Sequence, residues 1–363
     1  MWVRHENRST ECRVPITPRD ARVLVQHGLR LTVEESPQRV FPLTDYVDAG
    51  CATAPTGSWT GAPDDAYIIG LKELPSEPAR LRHRHIYFGH AYKGQPDALP
   101  LLHRLADGGG TLLDLEHLTD ERGARRAAFG YWAGYAGAAL AVLHWWGRLT
   151  GPLEPLSRDE LDARLHEVRD ADAAGQGVSA VVIGALGRSG RGACDALEAA
   201  GVTPTRWDVA ETRNLDRETL LAHDIVVNAV LTTRPVPPFL AADHLKADRR
   251  LSVICDVTCD VGSELNVLPF NDAATDWLRP VRSLQIGNRP LDVIAIDNLP
   301  SLLPTEASDD FSAALIAHLL ALGDTDPVWA RCREAFTTTL ATYRNHPPAD
   351  GGETFLKRGT AHV

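Results

Sequence analysis

Between Val178 and Asp208 the chain reads as a buried strand, a glycine-rich turn, an apolar helix and a second short apolar run ending on an acid. Gly184, Gly187 and Gly190 recur at three-residue spacing in VVIGALGRSGRGACDALEAAG. Glycine is needed where a strand turns sharply into a helix and where backbone amides must approach a pyrophosphate with no Cβ between. The helix that follows aims its N-terminal N–H groups at such an anion. The second run, Thr205 to Val209, contains Trp207-Asp208. It puts a carboxylate about 20 residues past the glycines, where a ribose hydroxyl is held. The spacing is GxxGxxG rather than the commoner GxGxxG, and glycines alone equally suit a tight turn that binds nothing. The strand, helix and acid around them are what predict a dinucleotide site. Asp208 favours NAD over NADP, because a carboxylate repels a 2′-phosphate; Arg206 and Arg213 nearby pull the other way.

The 363 residues suffice for two domains. Hydrophobic residues make up 44% and charged residues 23%, the balance of an ordinary globular protein. A net charge of −11 with no basic block argues against nucleic acid as a partner. The opening Met-Trp-Val-Arg-His-Glu lacks the apolar core of a secretory leader, which predicts a cytoplasmic protein. Six cysteines, Cys12, Cys51, Cys194, Cys255, Cys259 and Cys332, form no CxxC. They read as free thiols, and no metal site is expected. One segment tests the non-membrane reading: Ala127 to Trp146 has no Asp, Glu, Lys or Arg over 20 residues. That length can cross a bilayer. Its many Gly and Ala residues, few Leu and Ile, and internal His144 predict a helix buried between two domains instead.

Strand and helix signals alternate from the start. Strands are expected at Val3–Glu6, Leu31–Val33, Ala66–Leu71, Ile86–His90 and Thr111–Leu115. Thr17-Pro18 suits the start of a helix that ends near Gly28. A polar stretch, Ser157 to Gln176, precedes the glycine unit. Further strands are expected at His223–Leu231, Leu251–Val257 and Leu291–Ile296, and two tail helices at Phe311–Leu322 and Val328–Arg344. The expected architecture is α/β: two Rossmann-like domains with parallel sheets flanking an inter-domain cleft, linked by long helices. Residues 1–127 with 308–363 form the substrate domain, and 128–307 the dinucleotide domain, opening with a long helix over 127–148.

Chemistry-bearing residues follow the strands of the first domain. Lys72-Glu73 follow AYIIGL; His90 closes IYFGH, with Lys93 three residues on; Glu116 closes LLDLE. In open α/β sheets ligands gather at the carboxyl ends of strands. A lysine and a histidine there can pass a proton. Each alone equally suits a solvated lysine or a core histidine. Arg13, Arg125 and Arg126 can receive carboxylates by bidentate pairing or can be surface ion pairs. Asp297 closes a strand of the second domain.

Taken together these segments resemble the NAD-dependent, L-lysine-forming saccharopine dehydrogenases, within a wider group that includes alanine dehydrogenase. The resemblance runs from the opening pattern Arg4, Glu6, Arg8, Glu11, Arg13 through VEESPQRVF, PTGSW, IIGLKELP, FGHAYKGQ, GTLLDLEHL, AAFGYWAGYAGAALAV and VIGALGRSGRGA to IDNLPSLLP. It implies that Lys72 and His90 are the acid–base pair and that Glu73 and Glu116 tune them. It implies substrate-carboxylate roles for Arg8, Arg13, Arg125 or Arg126, and Lys93. It places the cofactor on Gly184, Leu186, Gly187, Arg188, Ser189, Gly190, Asp208, Arg213 and Asp297. Ser189 and Ala229 stand where that family can carry cysteines, so its active-site disulfide cannot form. Asn298 stands where it has histidine.

The reaction this implies is oxidation of saccharopine by NAD and water to L-lysine, 2-oxoglutarate and NADH, through an imine. Two alternatives stay open. One is an opine-type or alanine dehydrogenase with another amino donor, which Asn298 keeps in view. The other is a non-catalytic NAD-binding module. The partners expected are small molecules, with no nucleic acid and no membrane, and the chain is expected to be a monomer or small homo-oligomer.

Overall fold

The structure is a computed structural model, and it describes residues 1–92, 98–171, 177–232, 234–323 and 326–345. The chain divides into two compact units, Met1–Ala128 with 308–363, and Phe129–Ala307.

Among the described residues the first unit holds six strands: β1 (Trp2–Val3), β2 (Thr32–Glu34), β3 (Ala52–Ala54), β4 (Tyr67–Ile69), β5 (Arg84–Tyr87) and β6 (Thr111–Asp114). Their order across the sheet is β3-β2-β1-β4-β5-β6, and every pair is parallel. Three helices serve as crossovers or cover: α1 (Pro18–Gln26), α2 (Leu43–Asp48) and α3 (Ala98–Gly108). At the start of α1, Thr17 Oγ1 accepts from the Asp20 amide at 3.4 Å, and Gly28 follows its end at φ +87°. That φ is the left-handed conformation in which a glycine ends a helix at least strain. Ile68, Tyr87 and Leu112 pack with Leu102 and Leu105 of α3.

The second unit holds β7 (Ala180–Ile183), β8 (Thr205–Trp207), β9 (Ile225–Asn228), β10 (Val253–Asp256), β11 (Arg282–Ile286) and β12 (Arg289–Ile294). Their order is β11-β12-β10-β9-β7-β8; β11 runs antiparallel to β12 and the rest are parallel. Its helices are α4 (Gly130–Trp145), α5 (Arg158–Ala171), α6 (Arg188–Ala199), α7 (Val209–Thr212) and α8 (Arg217–Ala222). β7, β9 and β10 are buried along their whole length, as expected of parallel strands covered on both faces.

Two helices close the described chain, α9 (Pro304–Leu320) and α10 (Pro327–Asn345). Both pack on the first unit. Ser308 and Ser312 accept the Val14 and Thr17 amides at 2.9 and 3.0 Å, Phe311 meets the Phe88 ring, and Arg331 donates to the Thr119 carbonyl.

Several elements depart from the sequence reading: β1 is Trp2–Val3 rather than Val3–Glu6, and α2, α3, α7 and α8 were not expected. β3 and β11 were not expected, because these two edge strands are partly solvated and carry no apolar run. The polar stretch Ser157 to Gln176 is helical over 158–171, with Leu161, Leu165 and Val168 on one buried stripe. Residues 172–176 lie outside the described ones.

The charge-free segment is α4, buried from Gly134 to Leu143. Among the described residues no helix is long and apolar enough to cross a membrane. His144, its one ring with two nitrogens, meets Asp292 at 2.7 Å. The small residues have a specific purpose: α4 lies backbone to backbone on α6. A Cβ on Gly134 would stand 1.7 Å from the Ser189 carbonyl oxygen, and one on Gly192 would stand 2.0 Å from that of Tyr131. Gly134→Ala therefore destabilises the protein by about 2 kcal/mol or more. Overpacking against rigid backbone outweighs the ~1 kcal/mol of helix propensity that alanine gains. A lower denaturant midpoint shows it; a raised one refutes the close contact.

Candidate active site

β1, β4, β5 and β6 are parallel neighbours, so the residues that follow them collect along one edge of the sheet. Glu6 follows β1, Lys72 and Glu73 follow β4, His90 follows β5, and Glu116 follows β6. His90 Nδ1 lies 3.7 Å from Glu116 Oε1, and the Arg125 guanidinium donates to the same oxygen at 3.3 Å. The glutamate side chain is 11% exposed and that of His90 51%, so an anchored carboxylate holds an accessible imidazole. His90 stacks on Phe88 and has φ 48°, a conformation rare outside glycine and found where function demands a fixed direction.

Glu11 and Glu73 lie close enough to Lys72 to feel its charge. Arg8 donates to Glu73 at 2.6 Å. Burial raises the Glu73 carboxyl, but the Arg8 hydrogen bond and the Arg8 and Lys72 charges bring it below the usual range. Arg13 grips Glu11 with two N–H groups, at 2.7 and 2.6 Å, and both are buried. Burial raises Glu11 too, and Arg13, with help from Lys72, more than reverses it. Arg126 faces Asp120, 3.8 Å away, so of the two candidate arginines Arg125 is the one beside Glu116. Lys93 lies outside the described residues.

Asp114 was missed. It ends β6 with no exposure; one oxygen accepts the Glu116 amide at 2.9 Å, and the other lies where a Cβ on Gly89 would meet it at 3.3 Å. It therefore underlies the backbone of both His90 and Glu116. Its signal was an acid inside the apolar run LLDLEHL. Burial and the Glu116 charge raise its carboxyl, against the Glu116 and Gly89 amides and the His90 charge.

In the second unit, Gly184 has φ +84° and Gly190 lies under the turn, where a Cβ would stand 2.0 Å from the Gly184 carbonyl oxygen. Gly187 caps α6 with no side chain over the helix end. Leu186, Gly187 and Arg188 are exposed there, with Ser189 partly so. Asp208 closes β8; one oxygen accepts the Leu186 amide at 3.0 Å and the other the Val209 amide at 2.8 Å. The acid is thereby held at the glycine turn. Arg206 is bound to Glu198 at 2.7 Å, and Arg213 ends α7 exposed. Asp297 is exposed beyond β12, close enough to Cys259 to raise its thiol, which burial chiefly pushes up. An open helix end, a turn that a Cβ would block and an acid beside it fit a dinucleotide.

A two-unit α/β protein with a glycine turn of this kind in one unit and an ionisable strand-end cluster in the other is a dehydrogenase-like architecture. Residues 2–136 match the alanine dehydrogenase/PNT N-terminal domain and 160–346 the C-terminal domain. Saccharopine dehydrogenase [NAD(+), L-lysine-forming] of Schizosaccharomyces pombe is 40% identical over 94% of this chain and 98% of that protein. The Neurospora crassa protein of the same name is 41% identical over 94% of this chain and 96% of its own. A solved L-alanine dehydrogenase shares the fold at a TM-score of 0.66 and 18% identity, covering 93% of this chain and 94% of that one. The transhydrogenase of Sinorhizobium meliloti does so at 0.64 and 17%, covering 89% and 94%. The chain belongs to the L-lysine-forming saccharopine dehydrogenase family, within the alanine dehydrogenase/PNT group.

Asp114 carries a testable consequence. Its folded carboxyl titrates above the unfolded one, so the unfolded state loses its proton first as pH rises, and stability falls from about pH 4 upward. Asp114→Asn keeps an oxygen for the Glu116 amide and removes the buried charge. It raises stability at pH 8 by on the order of 1 kcal/mol, and the gain fades toward pH 4. Thermal scans across that range check it.

Proposed function

We propose that this protein oxidises saccharopine with NAD+ and water, reversibly, to L-lysine, 2-oxoglutarate, NADH and a proton. Lys72 and His90 are its acid–base groups. The first unit binds and activates the substrate, and the second holds the dinucleotide on Gly184, Leu186, Gly187, Arg188, Ser189, Gly190 and Asp208, with Arg213 and Asp297 at its margins. The observation that carries this reading is the strand-end cluster, with His90 beside a Glu116 that Arg125 holds, and Lys72 beside Glu11 and Glu73, themselves held by Arg13 and Arg8. Its presence in a chain about 40% identical to fungal saccharopine dehydrogenases supports that substrate.

When bound, NAD+ supplies the two-electron acceptor. The chain's own residues manage protons and charge. Carbon can release hydride only if the neighbouring nitrogen has a lone pair to form the imine, so the secondary ammonium must first lose a proton. Lys72 receives it. Water then adds to the imine carbon as His90 takes a proton from it. Glu116 steadies the imidazolium so formed, and Arg125 keeps Glu116 in place. Collapse of the carbinolamine returns a proton to the lysine nitrogen. Three substrate carboxylates need cations, a role assigned to Arg8, Arg13, Arg125, Arg126 and Lys93. A reducing cytoplasm suits the six free cysteines, and the chain acts there as a monomer or small homo-oligomer.

NADH oxidation with 2-oxoglutarate is expected with L-lysine and far less with ornithine or alanine. Lys72→Met and His90→Gln each lower kcat by about 10²–10⁴-fold. If pyruvate with ammonia is reduced and lysine with 2-oxoglutarate is not, the substrate is wrong, and Asn298 becomes the residue to explain it. Asp208→Ser raises KM for NAD+ by about tenfold or more, the value of a hydrogen bond to a charged group. It also narrows the preference over NADP+; steady-state kinetics with both cofactors measure this.

A further inference from the structure

The opening pattern of the chain contains two ions to which the reaction above gives no part, Arg4 and Glu6. They are 2% and 4% exposed and paired at 3.2 Å. Both end on one residue. Glu6 accepts the Leu71 amide on Oε1 at 2.6 Å and the Lys72 amide on Oε2 at 3.0 Å. Arg4 donates to the Lys72 carbonyl and, at 3.0 Å, to that of His5. The peptide N–H and C=O of Lys72 are thus both held, and the two groups that hold them are bound to each other.

The surroundings are shaped to admit this ring of contacts. A Cβ on Gly70 would lie 2.5 Å from the Arg4 guanidinium carbon, so that position is bare. The guanidinium lies over the Tyr87 ring at 5.6 Å. Burying two ions is expensive, and an apolar pair of equal volume is commonly as stable or more so. Stability alone does not explain the pair; fixing the direction in which Lys72 leaves the strand does.

We propose that Arg4 and Glu6 are positioning residues for Lys72, clamping its backbone so that its ammonium keeps one direction in the presence of Glu11 and Glu73. This rests on the reading of Lys72 as an acid–base group. A misplacement of about 1 Å costs on the order of 10²-fold in rate, so the clamp acts on turnover more than on binding.

The test is Glu6→Gln, which keeps one acceptor oxygen and loses the charge, alongside Lys72→Met. Glu6→Gln is expected to lower kcat at least tenfold and leave KM for NAD+ within about twofold. It is also expected to shift the limb of the kcat/KM pH profile that Lys72→Met abolishes. Arg4→Lys, which keeps a charge for Glu6 but has no planar fork to reach both carbonyls, is expected to give the same signature and serves where Glu6→Gln does not fold. Unchanged turnover overturns the proposal. So does a loss of activity in which the Lys72 limb stays in place, since that marks a structural role only. Full activity in Lys72→Met refutes the acid–base reading instead, and the two failures are distinct.

Discussion

The separation of α4 from α6 sets the geometry of the second unit. Two bare α-carbons, Gly134 and Gly192, let the helices touch through backbone, each facing a carbonyl oxygen of the other helix. The Ser189 carbonyl is one of these, so α4 reaches the first turn of the helix that follows the glycine loop. Gly190 brings that turn against the Gly184 carbonyl from the other side. The open end of α6 is therefore fixed by contacts with almost no compliance. Side chains can change rotamer under load, but close-packed backbone cannot move without displacing its neighbours. A site that recognises an anion by backbone amides needs this stiffness, because the amides have no torsion of their own to adjust.

The first unit reaches a comparable stiffness by electrostatics. Its sheet edge gathers Glu6, Glu11, Glu73, Asp114 and Glu116 with Arg4, Arg8, Arg13 and Arg125. Most of these side chains are committed to a partner of opposite sign or to a backbone amide. The carboxylates divide accordingly. Arginine holds Glu11 and Glu73 ionised, whereas burial raises Glu6 and Asp114, which serve backbone amides. Charge stays on Glu11 and Glu73, which feel the Lys72 ammonium, and burial resists it on Glu6 and Asp114, which serve backbone amides at the strand ends.

Much of this was legible in the sequence because it was local. The glycine turn, the acid after β8, the Thr17 cap and the strands that deliver Lys72, His90 and Glu116 depend on neighbours within a few residues. Of the four edge strands, β3 and β11 were not legible, since they lack the apolar run that marks β6 and β8, and α5 was obscured by its charge although Leu161, Leu165 and Val168 kept helical spacing. Which arginine stands beside Glu116 was also hidden: Arg125 and Arg126 are adjacent and alike, and a single peptide step sends their side chains to different acids. Asp114 was overlooked because an acid at a strand end reads as solvated until the strand is known to be buried.

His90 brings these threads together. Its backbone is in a conformation that costs a non-glycine residue roughly 1 kcal/mol or more, and its neighbour Gly89 has no room for a side chain between Leu112 and Asp114. Strand β5, packed between β4 and β6, supplies the support that holds such a turn in place. A half-exposed imidazole on an ordinary loop would sample several directions. Here a fixed backbone, a stacked Phe88 and a partly buried Glu116 leave the ring a narrow choice, the restriction that the proposed proton transfer from water would need. The strain at residue 90 is thus the local cost of aiming a titratable side chain from the end of a rigid sheet.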